Sequence, residues 1–157
     1  MRFYGADVLS SFRIQSQQLF CQHGTVSVFD HSFAVACLGL YLVLILGLRV
    51  DRRALVRGAL LHDFFLYDWH VRDPGHRLHG FTHPRRALAN ARREFPLSPV
   101  ERDIIARHMF PLTPLPPRCA EGAVVCAADK LCALCETVRL EHLLARLTYA
   151  RPRTFHP

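Results

Sequence analysis

Apolar residues along this chain recur mostly at helical spacing, and no stretch shows the alternation of a half-buried strand. The segment from Asp7 to Cys21 reads as a first amphipathic helix, broken at His23-Gly24-Thr25. Asp30 to Gly47 is almost wholly apolar and stops on a glycine, which suits a second, buried helix. Asp51 can cap a third helix whose Leu55, Leu60 and Leu61 lie on or near one face and which runs into His62-Asp63. Gly, Pro, Asp and His crowd the stretch from Leu66 to Phe81, predicting a long loop of the kind that often carries function. Thr82 is expected to cap a fourth helix with Pro84 in its first turn. Ser98-Pro99-Val100-Glu101 is a capping box for a fifth helix. That helix should end near His108, since Pro111, Pro114, Pro116 and Pro117 cannot continue it. A last helix fits Glu121 to about Tyr149, with residues 151–157 a frayed tail. The expectation is an all-α single domain over residues 1–157, a bundle of about six to seven helices.

Composition narrows the class. Half of the 157 residues are apolar, which excludes a disordered chain and allows a core without staples. No segment repeats at a fixed period, so a solenoid is excluded. The apolar run Ala34 to Leu48 is about fifteen residues, short of the roughly 20 that span a bilayer, and a central core helix is expected there. The net charge of +7 favours anionic partners, but the basic residues are scattered and Lys130 is the only lysine. No helix-turn-helix with a basic face is present. The expected partner is a phosphorylated small molecule, with no specific nucleic acid partner and no membrane; a homodimer is left open. Six cysteines, and no apolar segment with a cleavage site within Met1 to Phe20, suggest reduced thiols in the cytoplasm.

The candidate chemistry sits at helix ends. His31 begins the second helix, His62-Asp63 ends the third, His83 opens the fourth and His108 closes the fifth; Asp129 lies in the first turns of the last. A helical bundle can gather such positions into one pocket. Mixed imidazole and carboxylate ligation suits Mn, Fe, Co, Ni or Zn better than Mg or Ca. The run Gly58-Ala59-Leu60-Leu61-His62-Asp63 resembles the HD motif of HD-domain metal-dependent phosphohydrolases. An upstream histidine in Asp30-His31-Ser32 and a downstream aspartate in Ala127-Ala128-Asp129-Lys130 stand where that family has them. The resemblance covers roughly Gly24 to Glu136, residues 24–136 being the core of an HD-type bundle. It implies His31, His62, Asp63 and Asp129 as the ligands of one metal. His83 in Gly80-Phe81-Thr82-His83-Pro84 and His108 in Ile104-Ile105-Ala106-Arg107-His108 match the additional histidines of binuclear members. Those members include cyclic-dinucleotide phosphodiesterases of the HD-GYP type and symmetrical dinucleoside-tetraphosphate hydrolases. The implied cofactor is one or two divalent transition-metal ions. Asp63 is followed by Phe64-Phe65-Leu66-Tyr67-Asp68-Trp69 in place of a glycine-lysine step, and there is no Gly-Tyr-Pro element. Cleavage of cyclic di-guanylate is therefore not expected.

The resemblance implies hydrolysis of a phosphate ester or anhydride, of a nucleotide or related small metabolite. Asp63 would anchor or bridge the metal, which activates water for in-line attack on phosphorus. Arg85 and Arg86 are expected to hold phosphate near a helix N-terminus, with Lys130 a further catalytic and substrate-binding candidate. Two other functions share the ligand set: a di-iron HD-type oxygenase acting on a small organic substrate, and a non-catalytic nucleotide-binding HD module. Among the remaining histidines, His70, His76 and His79 read as solvated loop residues, His23 as a turn residue, and His142 and His156 as surface. Tyr67, Asp68 and Trp69 either line the pocket or pack under the loop. Cys132 and Cys135 share a helix face through their spacing, so a structural zinc is not expected.

Overall fold

The computed structural model describes residues 2–71, 73–74 and 77–138. His76, His142, His156, the stretch beyond Val138 expected to continue the last helix and the expected frayed tail at 151–157 lie outside the described residues. Seven helices carry the described chain: α1 (Arg2–Leu9), α2 (Phe12–Ser16), α3 (Val28–Ile45), α4 (Arg52–Leu61), α5 (His79–Glu94), α6 (Pro99–Arg107) and α7 (Ala120–Thr137). The expected all-α architecture is observed, with one small addition. The first expected helix is split into α1, α2 and a 3-10 turn at Gln17–Leu19. Cys21–His23 (β1) and Val26–Ser27 (β2) then pair antiparallel around the break foreseen at His23-Gly24-Thr25. Gly24 takes a positive φ of 58° there, a conformation open to a residue without Cβ.

Local chemistry sets the helix starts. Asp51 Oδ1 accepts from the amides of Arg53 and Ala54 at 2.9 and 3.0 Å, capping α4. Ser98 and Glu101 form the reciprocal capping box of α6. The exception is α5, which begins at His79 and not at Thr82. Leu78 precedes it in the left-handed region, at φ 57° and ψ 42°. The Thr82 hydroxyl, instead of capping, donates to the Leu78 carbonyl from within the first turn. Pro84 therefore stands in the second turn, where it cannot donate to the Gly80 carbonyl.

The apolar helix α3 packs against α4 and α7, and α4 also packs against α1 and α6. Val35, Leu38, Leu55, Leu60, Leu61, Ile104, Ile105, Val125 and Ala128 form the centre of the core. By length and composition alone α3 could cross a membrane, yet it buries His31 and Ser32 with its apolar face. Gly58 sets the spacing of α4 against α6: a Cβ there would lie 2.5 Å from Ile104 Cδ1. Because the two helices approach so closely, their C-terminal ends, carrying His62-Asp63 and His108, meet.

Candidate metal centre

Four histidines and two aspartates converge where α3, α4, α5, α6 and α7 come together. His31, His62, Asp63, His83, His108 and Asp129 are all buried. The helix ends themselves orient the rings. His62 and His108 are the C-cap residues of α4 and α6, where the last carbonyls have no amide partner. His62 Nδ1 donates to the Ala59 carbonyl at 2.6 Å and His108 Nδ1 to that of Ile105 at 2.9 Å. His83 Nδ1 donates to the His79 carbonyl at 3.0 Å. His31 Nδ1 lies 2.8 and 3.0 Å from the two carboxylate oxygens of Glu136. A carbonyl or carboxylate oxygen only accepts, so each Nδ1 carries the proton and each Nε2 turns inward.

The inward atoms fall into two groups that share Asp63. Its Oδ2 is 3.5 Å from His62 Nε2 and 4.0 Å from His31 Nε2. Asp129 Oδ1 closes that side, 3.1 Å from His31 Nε2 and 3.6 Å from His62 Nε2. Asp63 Oδ1 faces the other way, 3.1 Å from His83 Nε2 and 3.5 Å from His108 Nε2. Those two ring nitrogens are 2.8 Å apart. His62 Nε2 and Asp63 Oδ1 are fully buried without an aligned hydrogen bond. Lone pairs of imidazoles and carboxylates facing one another repel unless protons or a cation lie between them. The donor set and its orphaned atoms therefore fit a divalent metal, with nitrogen and oxygen ligands of the kind transition metals favour.

Electrostatics give the same picture. Burial opposes charge on His31, but hydrogen bonds to Asp129 and Glu136 overcome it and raise its pKa to about 10. Burial also opposes charge on His62, and Asp63 and Asp129 outweigh it in the same direction. His108 goes the other way, lowered to about 3 by burial and by the neighbouring His62. Asp63 and Asp129 remain far below the usual carboxylate range in spite of burial, because imidazoles surround them. The extra protons favoured on His31 and His62 occupy positions that a cation would take.

The HD domain family model matches residues 28–134. The chain belongs to the HD-domain family. No match is found among curated proteins or among solved structures. The family is of metal-dependent hydrolase type, and the buried cluster of this HD domain is compatible with a divalent metal.

Three polar groups just outside the matched residues 28–134, which sequence reading did not single out, support the cluster. Glu136 is two turns beyond Asp129 on the same face of α7 and buried against His31. Gln22, on β1, donates from Nε2 to Asp63 Oδ2 at 2.7 Å, and Gln17 donates to the Asp63 carbonyl at 3.0 Å. The seven-residue spacing of Asp129 and Glu136 was the available signal; nothing local marked the two glutamines.

A cavity of about 680 Å³ opens above the cluster, lined in part by Gln22, Asp63, His83, His108 and Asp129. Lys130 lines it too, its Nζ donating to the His108 carbonyl at 2.7 Å and lying 3.6 Å from Asp129 Oδ2. The two arginines are placed otherwise. Arg85 is exposed and Arg86 sits over the Tyr67 ring at 5.3 Å, and neither is among the lining residues. The cause is the earlier start of α5, which moves both arginines from the helix N-terminus into the second turn. His79 is likewise no solvated loop residue. It opens α5, lines the cavity, hydrogen-bonds Tyr67 Oη at 2.8 Å and stacks between Trp69 and His83. Trp69 lines the cavity, whereas His70 is exposed beside Asp68, 3.1 Å away.

Proposed function

We propose that this HD domain is a metal-dependent phosphohydrolase acting on a phosphorylated small molecule. The observation that carries the reading is the pair of ligand groups sharing one carboxylate: His31, His62, Asp63 and Asp129 to hold one ion, Asp63, His83 and His108 a second. An ion held by these residues would supply Lewis acidity and activate water for attack on phosphorus. The chain's own residues do the rest. Glu136 keeps the His31 ring turned with Nε2 inward, and Gln22 fixes Asp63 Oδ2. Lys130 sets an ammonium beside the cavity floor, where it pairs with a phosphoryl oxygen that gains charge as the ester bond breaks. The stack of Trp69, His79 and His83 fastens the loop after the motif onto α5 and screens one side of the cluster from water. All six cysteines are free thiols, which supports a reducing, cytoplasmic setting.

The test is a panel of phosphate esters and anhydrides assayed on protein loaded with Mn, Fe or Co, beside Asp63→Ala prepared in the same way. The reading predicts phosphate release by the wild type and none by the variant. Oxygen consumption on an organic substrate, without phosphate release, would replace it with the oxygenase reading.

A further inference from the structure

The cavity above the cluster has two unlike halves. Its floor is the polar set of Asp63, His83, His108 and Asp129, with Lys130 and Gln22 beside it. Its wall is made by Met109, Pro111 and Leu112 from the segment after α6, and by Ala133 one turn beyond Asp129 on α7. None of those four side chains offers a strong donor or acceptor. Leu112 is also half exposed, so its apolar surface is presented to whatever enters.

Two features restrict the occupant. Among the described lining residues Lys130 is the one permanent cation, and the Gln22 Nε2 is already committed to Asp63. Beyond the ions and Lys130, the extra charges of a polyphosphate chain would meet no further cationic side chain among the described lining residues, nor would the polar edges of a base or sugar meet a donor or acceptor on the Met109, Pro111 and Leu112 side chains. Trp69 provides no flat platform for a base. Its ring contacts His70 at 3.9 Å and stacks on His79 at 5.2 Å between centroids. The volume, about 680 Å³, lies within the roughly 300–1,000 Å³ of ordinary ligand pockets and leaves room for a body larger than the phosphoryl group.

Resting on the phosphohydrolase reading, we propose that the substrate is a monophosphate ester of an apolar alcohol, its single phosphoryl group on the floor and its hydrocarbon against Met109, Pro111, Leu112 and Ala133. In the reaction a water oxygen bonds to phosphorus, the bond from phosphorus to the ester oxygen breaks, and the alcohol leaves carrying a proton that water supplied. Inorganic phosphate and the free alcohol are the products.

A series of n-alkyl phosphates, from ethyl to hexyl, tests this on the Mn-loaded full chain, with adenosine monophosphate and adenosine triphosphate alongside. Each methylene buried on the wall should raise kcat/KM about fourfold, or about 250-fold from ethyl to hexyl. Binding of the corresponding alkylphosphonates, measured by calorimetry, should show the same progression without turnover. Leu112→Asn should flatten both series while metal content stays at the wild-type level. Turnover with a flat or falling series, or a preference for either nucleotide over hexyl phosphate, overturns this proposal and leaves the phosphohydrolase reading standing. Absence of turnover with every ester removes both.

Discussion

Glu136 offers the sharpest test of how the chain prepares its metal ligands. It is buried, and its two carboxylate oxygens lie 2.8 and 3.0 Å from His31 Nδ1. Glu136→Ala leaves that N–H buried with no acceptor and frees the ring to turn. An unsatisfied buried donor costs about 1–3 kcal/mol, which converts to roughly five- to 150-fold in an equilibrium constant. Loss of an outer carboxylate partner typically weakens metal binding by about 10–100-fold, the same range. Glu136→Gln keeps an acceptor but not the charge, and should fall between alanine and wild type. Titration of Mn into chelator-treated protein by calorimetry measures the constants, with far-UV circular dichroism to establish that the helices persist. If Glu136→Ala binds Mn as tightly as wild type with its helices intact, then His31 is not a ligand held in place by this carboxylate.

Three more outcomes follow from named contacts. Lys130→Ala should lower phosphate-ester hydrolysis by about ten- to a hundredfold, the value of a charge-assisted bond of roughly 1.5–3 kcal/mol. Metal content measured by elemental analysis should be unchanged, and Arg86→Ala, whose guanidinium rests on Tyr67, should keep full activity. The raised pKa of His31, about 10 against 6.5, means that a metal must displace its proton at neutral pH. Mn affinity should therefore climb with pH between 6 and 8, by up to about tenfold per unit for one displaced proton; a flat profile refutes the exchange. Gly58→Ala places a Cβ 2.5 Å from Ile104 Cδ1 and should destabilise the fold by about 1–3 kcal/mol in urea denaturation, because α4 and α6 must separate.

The sequence was most informative where chemistry is local. Asp51 and Ser98 cap the helices they were expected to cap, because a short polar side chain beside an apolar run has few other uses. The candidate ligands His31, His62, Asp63, His83, His108 and Asp129 were chosen through the family pattern, and the structure brings their six side chains together in one buried cluster. What was hidden depends on tertiary contact. Gln17 and Gln22 reach Asp63 from a segment 41 to 46 residues away, and no feature of their neighbours marks them. The placement of Arg85 and Arg86 rested on the start of α5. Thr82 looked like a cap, but Leu78 in the left-handed region begins the helix earlier, a choice no propensity rule favours for leucine. His79 was read as loop for the same reason. The small hairpin at Cys21–Ser27 was missed because two short strands carry too few residues to establish a period.

If two ions share Asp63, anomalous diffraction from crystals grown with Mn should show two peaks about 3.5–4 Å apart on either side of its carboxylate. One should be ligated by His31, His62 and Asp129, the other by His83 and His108. A single peak at saturating Mn, or peaks away from Asp63, would contradict that reading.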